Sequence, residues 1–244
     1  MKREASTDSR ANTGAQPELT HHASRISRPA SRFSLLASRL SPRVFGCLAL
    51  FIGISILVVS GASMPWDTGV LDSVGQARTP GLINLMLGIT MLNEGAVPVV
   101  AAAGMCILLY RLGGKRPALT LFWAAVSGEL LYVLLKAGFH RTRPDLIPKL
   151  SSGGWYSYPS GHTMMAPIIW SLGLILLARE LPRVRVPLLI AAAIIPPLLA
   201  CSRVELGVHY PTDVLGGLAI GFAWMFLWLE SASAASTSRS PSIT

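Results

Sequence analysis

Three short polar stretches interrupt an apolar sequence and contain residue types that can act on a phosphate. They run from Lys136 to Pro144, from Pro159 to His162 and from Ser202 to Asp213, each at one end of a long apolar run. Ionisable groups at such positions in a membrane protein usually mark a functional site. Within these stretches, the candidate functional residues are three cations, two histidines and one carboxylate. That set suits a phosphate or a phosphate monoester.

The three cations are Lys136, Arg143 and Arg203. Lys136 and Arg143 are seven residues apart, so in a helix they share a face, and Pro144 then ends that helix. Ser160 stands where it can cap the helix that follows, which leaves the next backbone amides free as an anion site. We expect these groups to neutralise and orient phosphoryl oxygens.

The two histidines, His162 and His209, allow a division of labour in which one attacks phosphorus and the other protonates the leaving oxygen. An attacking imidazole needs an acceptor on its far ring nitrogen. Asp213 follows His209 by four residues and reaches it in a helical backbone, unless Pro211 distorts the turn. No cluster of Cys, Asp or Glu in the sequence indicates a metal, and we predict neither a metal nor another cofactor.

Composition predicts an integral membrane protein. Of the 244 residues, 51% are hydrophobic and 14% are charged, and apolar runs of membrane length recur. A formal charge of +9 is also typical of nucleic-acid-binding proteins, but eight of the 21 basic residues precede Val44 and others lie in short loops between apolar runs. That pattern indicates membrane topology, so we predict no nucleic-acid partner.

The predicted fold is all-α, a six-span transmembrane helical bundle. The spans are predicted at about 44–64, 96–110, 118–135, 163–178, 186–201 and 213–229. The first outer loop, 65–95, predicts one or two short interfacial helices. Residues 44–230 form the predicted membrane domain, between a basic, mostly disordered tail at 1–43 and a disordered tail at 231–244.

The distribution of charge predicts the orientation of the bundle. Basic residues occupy the leader and the loops after the second and fourth spans, so the positive-inside rule places these segments and both termini in the cytoplasm. The connections 136–162 and 202–212 then share the outer face. Arg outnumbers Lys and no Asn-x-Ser/Thr acceptor occurs, which leans towards a bacterial source. In a bacterial inner membrane, the outer face predicted here is the periplasmic side.

The spacing within the polar stretches resembles the three motifs of the type 2 phosphatidic acid phosphatase family. Those motifs appear here as Lys136 with six residues before Arg143-Pro144, as Pro159-Ser160-Gly161-His162, and as Ser202-Arg203 followed after five residues by His209 and after three more by Asp213. They cover 136–213, and the six-span layout extends the resemblance to about 44–230. Each match alone is weak, but the three together, complete and in order, are specific.

The resemblance implies an activity and a role for each motif residue. His209 would form a phosphohistidine, Asp213 would orient it, and His162 would act as general acid and then as the base that activates water. The phosphoryl oxygens would be bound by Lys136, Arg143, Arg203, Ser160 and the Gly161 amide. The implied enzyme is a metal-independent phosphatase of lipid phosphates or diphosphates. It would act at the outer face of the membrane, with membrane lipids as its other partners.

Two other functions fit the same residues. A lipid phosphotransferase would pass the phosphoryl group from the same intermediate to a second lipid. A non-catalytic protein would bind or transport an anionic lipid through the basic cluster, without needing the His209–Asp213 pair. A vanadate-dependent oxidase on a related scaffold is disfavoured by the six apolar spans.

Three further polar residues lie close to the motifs without belonging to them. Glu129 is seven residues before Lys136 inside the third span, and a carboxylate there predicts a structural hydrogen bond or a protonated side chain. His140 and Arg141 lie beside motif positions, where contact with substrate and plain solvation are equally open.

Overall fold

A computed structural model describes residues 41–237, with side chains through residue 233. Residues 1–40 and 238–244, which contain most of the two predicted tails, lie outside this range. The described residues form helices joined by turns and loops, with no strand among them. The α-helices are α1 (Pro42–Val59), α2 (Met64–Ala77), α3 (Pro80–Thr90), α4 (Val97–Gly113), α5 (Lys115–Phe139), α6 (Gly161–Ala166), α7 (Leu172–Glu180), α8 (Arg185–Glu205) and α9 (Pro211–Thr237).

Local sequence explains where several helices begin and end. The Ser41 and Thr79 hydroxyls accept hydrogen bonds from the first-turn amides of α1 and α3, and a proline opens each helix. Gly114, with a φ of 81°, separates α4 from α5. His140 takes the left-handed conformation, with a φ of 51°, and ends α5.

The predicted all-α membrane bundle is confirmed. Five described helices are long and apolar enough to cross a membrane: Pro42–Val59, Lys115–Phe139, Gly161–Glu180, Pro182–Glu205 and Pro211–Ser233. A sixth span arises if α3, extended by a turn to Asn93, and α4 are taken as one span bent by 52°. The span Gly161–Glu180 comprises α6, a π-helical turn at Pro167–Ser171 and α7.

Several boundaries differ from the sequence prediction. The first span ends at Val59, earlier than predicted, because the turn around Gly61, with a φ of 75°, redirects the chain into α2. Two helices, α2 and α3, occupy the predicted outer loop 65–95. The last helix continues to Thr237, beyond the predicted boundary at 230.

The end of α5 differs in a way that affects the site. The sequence predicted Lys136 and Arg143 on one face of a continuous helix. The helix instead ends at Phe139, and residues 140–144 run without helical structure into the loop before α6. Lys136 therefore reaches the site from a helix and Arg143 from a loop.

The core lies where α9 packs against α1 and against the segment from α6 to α7. Close packing depends on Gly217 and Gly221, a small-xxx-small pair on α9. A Cβ atom at Gly217 would lie 2.7 Å from the carbonyl oxygen of Ser160. The glycines thus let α9, which carries Asp213, approach the start of α6, which carries His162.

Candidate active site

The centre of the site is His209, which lies in the loop between α8 and α9 and is 2% exposed. Its Nδ1 lies 3.4 Å from Asp213 Oδ2, in the first turn of α9. The Ser157 hydroxyl lies between the two groups, 3.4 Å from Nδ1, and donates to the same carboxylate oxygen. Pro211 therefore does not prevent the predicted pairing, because it opens α9 and leaves His209 in the preceding loop.

Arg143 contacts the other nitrogen of His209. Its Nη1 lies 3.1 Å from His209 Nε2 and also donates to the Val208 carbonyl at 2.6 Å, while its Nε donates to the Gly154 carbonyl at 2.8 Å. A guanidinium can only donate, so Nε2 is the acceptor and the neutral ring carries its proton on Nδ1. The proton thus faces Asp213, and the lone pair of Nε2 faces the cation.

Burial determines the charge state of this histidine. Removal from water lowers the pKa of His209 from 6.5 to about 3, against the opposing effect of the Asp213 carboxylate. At neutral pH the ring is uncharged, which is the state that an attacking imidazole requires.

Asp213 is fixed by a residue that the sequence reasoning did not assign. Arg141 donates to Asp213 Oδ1 and to Asp67 Oδ2, both at 2.6 Å, and to the Thr212 hydroxyl at 2.8 Å. The Tyr210 amide donates to Asp213 Oδ2 at 2.8 Å. The two carboxylates raise the pKa of Arg141 despite its burial. Arg141 is thus buried in an ion-pair network and is not a solvated neighbour of the motif.

Asp67 is the second partner that the sequence did not reveal. It lies in the first turn of α2, is fully buried, and accepts from the Thr212 amide at 2.9 Å and the Thr212 hydroxyl at 2.6 Å. Its sequence context contains no motif. The only signal was an aspartate at a helix start, which usually caps and nothing more.

Arg203, near the end of α8, is 1% exposed. Its Nη1 donates to the hydroxyls of Thr90 and Ser151, at 2.8 and 3.1 Å, and its Nη2 donates to the Ser152 carbonyl at 2.8 Å. Its Nε is buried and has no hydrogen-bond partner among the described residues. A buried donor without an acceptor is unusual and points to a missing group.

Ser160 has the same property. It occupies the predicted cap position before α6, and its amide donates to the Asp213 carbonyl at 3.0 Å. The predicted side-chain cap is wrong, because the Ser160 hydroxyl is buried and bonds to no described residue. The Ser160 backbone instead pairs with α9, and its hydroxyl is left available.

Lys136 lies in the last turn of α5, is 7% exposed and donates to the Tyr132 hydroxyl at 2.8 Å. The Tyr132 ring packs against Gly161, where an added Cβ would lie 2.7 Å from ring carbons. A larger residue at this position would displace the Tyr132 ring. The pair brings the ammonium of Lys136 to the start of α6.

His162, in the first turn of α6, contacts a carboxylate that sequence reasoning also missed. Its Nε2 lies 3.1 Å from Glu94 Oε2, and the same oxygen lies 3.5 Å from Arg203 Nη1. The other oxygen, Glu94 Oε1, accepts from the Ser152 hydroxyl. Glu94 follows α3 in the segment predicted as interfacial, 68 residues before its histidine partner.

An apolar cavity of about 820 Å³ reaches the site between α4, α5 and α6. His162, Gly161 and Tyr132 form one end, and the remainder is lined mostly by apolar residues such as Ala102 and Phe122. Glu129 also lines this cavity. No described residue hydrogen-bonds the Glu129 side chain, in contrast to the predicted structural hydrogen bond.

Contacts join the eight predicted residues into three groups. One group contains His209, Asp213, Arg143 and, through its amide, Ser160. A second connects His162 with Arg203 through Glu94. In the third, Lys136 reaches Gly161 through Tyr132. Ser160, Gly161 and His162 are consecutive, so the three groups meet at the start of α6, which brings together an uncharged imidazole, a second histidine and three cations.

The sequence matches a known family over the region that carries most of these residues. The profile of the PAP2 superfamily matches residues 117–236. That range includes every predicted site residue and Arg141, whereas Asp67 and Glu94 precede it.

Individual relatives are phosphatases by name. The chain is 30% identical over 182 residues to phosphatidylglycerophosphatase B of Bacillus subtilis (strain 168), covering 72% of this chain and 88% of the relative. It is 37% identical over 116 residues to lipid A 1-phosphatase of Rhizobium johnstonii, covering 44% of each protein.

A solved structure has a similar fold. The crystal structure of a transmembrane PAP2 type phosphatidylglycerolphosphate phosphatase from Bacillus subtilis aligns with a TM-score of 0.70 and 27% sequence identity, covering 82% of this chain and 98% of the solved chain.

Proposed function

Because the chain belongs to the PAP2 superfamily and is a membrane phosphatase of lipid phosphates, we propose that it acts through a phosphohistidine at His209. We further propose that its active site lies on the outer face of the membrane. The observation that carries the first proposal is the orientation of the His209 ring. Its Nδ1 faces the Asp213 carboxylate and its Nε2 faces the Arg143 guanidinium. A phosphoryl group held by Arg143 would present phosphorus to the nitrogen that has the free electron pair.

In the first step, His209 Nε2 attacks phosphorus, a N–P bond forms and the bond to the lipid oxygen breaks. His162 gives its proton to that oxygen and releases the dephosphorylated lipid. Asp213 stabilises the positive charge that develops on the imidazole, and Arg141 keeps the carboxylate in place.

In the second step, water attacks the phosphohistidine and His162 takes its proton. The N–P bond breaks, inorganic phosphate leaves, and His209 returns to its uncharged state. No cofactor is needed for either step, since the histidines move every proton and the cations balance the charge on the phosphoryl oxygens.

Five groups would bind the phosphoryl oxygens, and the environment of two of them supports this role. Arg203 Nε and Ser160 Oγ are buried polar atoms that no described residue hydrogen-bonds, and phosphoryl oxygens would accept from both. Lys136, Arg143 and the Gly161 amide would complete the set. An amide at the start of the span Gly161–Glu180 also benefits from the positive end of the helix.

The apolar cavity supports a lipid substrate. Its volume of about 820 Å³ suits part of a hydrocarbon chain, and its site end is formed by His162 and Gly161. The chain of the lipid would lie between α4 and α5 while its phosphate reaches the cations. The names of the relatives make phosphatidylglycerol phosphate the first substrate to assay and lipid A phosphate the second.

The distribution of charge supports the outer face. Lys136, Arg203 and the start of α9 lie at one end of the bundle by helix order, and the basic loops 111–116 and 179–185 lie at the other. The positive-inside rule assigns the basic end to the cytoplasm, so the site would face outwards. Both termini would then be cytoplasmic.

The test is phosphate release from purified protein in detergent, with a chelator present. We expect hydrolysis of a lipid phosphate by the wild type and loss of at least about a thousandfold in His209→Ala, as for removal of a nucleophile. Brief reaction with substrate labelled in its phosphate should label the wild-type protein through an acid-labile, base-stable bond.

His140→Asn is the matched control. His140 is an exposed histidine near the site with a left-handed backbone that asparagine tolerates, so this variant should retain activity. Full activity of His209→Ala would exclude the phosphohistidine. Recovery of the label in a second lipid, with none in water, would instead identify a phosphotransferase.

A further inference from the structure

Glu94 is a carboxylate in the site that the catalytic steps above do not use. It lies at the break between the turn that ends α3 and the start of α4, beside Gly95. Its side chain is 35% exposed, whereas Asp67 and Asp213 are fully buried. Glu94 is therefore the site carboxylate that can reach water without disruption of the core.

The partners of Glu94 are donors that a phosphate would use. Its Oε2 lies 3.1 Å from His162 Nε2 and 3.5 Å from Arg203 Nη1, and its Oε1 accepts from the Ser152 hydroxyl. An oxyanion with two oxygens bound by a histidine, an arginine and a hydroxyl resembles part of a bound phosphoryl group. The Glu94 carboxylate thus occupies donors that phosphoryl oxygens could use.

Two of the three cations are closed off from water in this arrangement. Arg203 is 1% exposed and Lys136 is 7% exposed, and two buried polar atoms, Arg203 Nε and Ser160 Oγ, have no hydrogen-bond partner among the described residues. His162 and Gly161 line the apolar cavity, but neither Arg203 nor Lys136 does. A phosphate therefore needs a rearrangement before it can reach these two cations.

The backbone at Glu94 is suited to such a rearrangement. Gly95 has a φ of 56°, a conformation that glycine adopts readily, and α3 and α4 meet there at 52°. A change of a few dihedral angles at this break would move the carboxylate into water without shifting either helix. The contact with Ser152 is to a loop, so it imposes no helical constraint.

We propose that Glu94 is a binding-determining residue, whose carboxylate holds His162 and Arg203 in the ligand-free enzyme and is exchanged for the phosphate of the substrate. The proposal rests on the proposed function, since it takes Arg203 as a phosphoryl ligand and His162 as the proton donor beside the phosphate. A substrate that carries two negative charges replaces one carboxylate at the same donors. A weaker anion does not, so Glu94 selects phosphate monoesters over phosphate diesters, which abound in a membrane.

Removal of the negative charge tests the proposal. Glutamine keeps the size of the side chain and removes the negative charge that competes with the phosphate. Because Glu94 can move away in the wild type, only part of this repulsion opposes binding. We expect Glu94→Gln to lower the inhibition constant of inorganic phosphate and the KM for a lipid phosphate by roughly tenfold each.

The discrimination against diesters gives a second readout. In Glu94→Gln, a phosphodiester such as phosphatidylglycerol should become a competitive inhibitor at lower concentration than in the wild type. Ser152→Ala removes the hydroxyl that donates to Glu94 Oε1 and keeps the Ser152 carbonyl that accepts from Arg203. It should therefore change both inhibition constants in the same direction as Glu94→Gln does, and by less.

Asp145→Asn is the matched control for a generic effect of charge. Its carboxylate is 95% exposed in the loop after α5 and pairs only with Lys149 among the described residues. This variant should leave the inhibition constants unchanged. A similar decrease in Asp145→Asn and Glu94→Gln would overturn the proposal, because the effect would then be long-range.

A second outcome also overturns the proposal. If Glu94→Gln lowers kcat and leaves the inhibition constant of phosphate unchanged, Glu94 positions His162 and does not compete with phosphate. Calorimetric titration of each protein with inorganic phosphate separates this failure from failure of the proposed function, since it reports binding even in a protein that hydrolyses none of the lipids.

Discussion

At the scale of single residues, Arg141 has the greatest effect on the geometry of the site. It joins Asp67 and Asp213, two fully buried carboxylates, with a hydrogen bond of 2.6 Å to each. Its guanidinium also lies 4.3 Å from the centre of the Tyr210 ring, next to His209 in sequence. A buried ion pair is costly to form, but the loss of one partner is costlier, because the remaining charges stay buried.

We therefore predict that Arg141→Ala lowers the free energy of unfolding by about 3–5 kcal/mol, since it leaves two carboxylates uncompensated. The measurement is chemical or thermal unfolding in detergent. Arg111→Ala, at an exposed position in the last turn of α4, should change stability by less than about 0.5 kcal/mol. Equal stability of the two variants would contradict the structural role of Arg141.

His209 gives a prediction for pH. Burial lowers its pKa from 6.5 to about 3, so below pH 6.5 the unfolded chain binds a proton that the folded protein excludes. The stability of the wild type should consequently fall as pH falls from 6.5 towards 3. It should not change through this group above pH 6.5.

The melting temperature of the wild type and of His209→Asn, measured between pH 8 and pH 4.5, checks the sign. Asparagine does not titrate, so the wild type should lose more stability than the variant on acidification. Parallel curves would show that His209 titrates alike in both states.

At the scale of elements, the distance between α9 and α6 determines whether the two histidines share a site. Gly217 on α9 faces the carbonyl of Ser160, and Gly221 faces the backbone of Met164. Glycine pairs of this spacing allow helix backbones to approach closely in membranes. The Ser160 amide uses this proximity to donate to the Asp213 carbonyl at 3.0 Å.

Gly217→Ala should therefore destabilise the protein by about 1–3 kcal/mol, because its Cβ would lie 2.7 Å from a backbone oxygen that cannot rotate away. Activity should fall as well, since Asp213 and Ser160 separate. The control is Gly53→Ala in α1, where no atom lies within 4 Å of the added Cβ. Unfolding in detergent and phosphate release measure both effects.

The helices and the motif residues were within reach of the sequence because each depends on local pattern. Apolar runs predicted the bundle, and the spacings around Lys136, His162 and His209 predicted the candidate site residues, which the fold brings together. The sequence did not predict that Arg143 lies in a loop, since the left-handed conformation of His140, which ends α5, depends on tertiary contacts. Its backbone continues into the segment where Arg141 binds both carboxylates.

The sequence did not predict the roles of Glu94 and Asp67 for another reason. Each meets its partners across 58 or more residues, and neither stands in a pattern that indicates its contacts. A glutamate that closes an apolar segment and an aspartate at a helix start are ordinary boundary residues. Only the tertiary arrangement of α2, α3 and the loop before α6 gives them a place in the site.

At the scale of the whole molecule, the apolar cavity connects the site with the surface of the bundle. It lies between α4 and α5, two neighbouring helices whose outer surfaces carry exposed apolar side chains such as Val100 and Trp123. Those surfaces are suited to contact with hydrocarbon. A lipid can therefore enter sideways and keep its chain in the membrane.

Ala102→Trp should obstruct this cavity and raise the KM for a long-chain lipid phosphate by about tenfold, with a much smaller effect for a short-chain, water-soluble phosphate monoester. Kinetics with the two substrates supply the comparison. Ala49→Trp, on the exposed surface of α1 and outside the cavity lining, should affect neither. An equal loss for both substrates in Ala102→Trp would place the obstruction at the phosphate and not along the chain.

The ion pairs of Arg141 also constrain how the protein is made. Asp67 is synthesised 74 residues before Arg141 and 145 residues before Thr212, which supply its partners. Until α9 has been synthesised, Asp67 lacks both donors of Thr212, and Arg141 lacks Asp213 as its second carboxylate. A chain truncated before α9 would therefore leave this network half-formed, so α2 gains its full set of contacts only when the last helix docks.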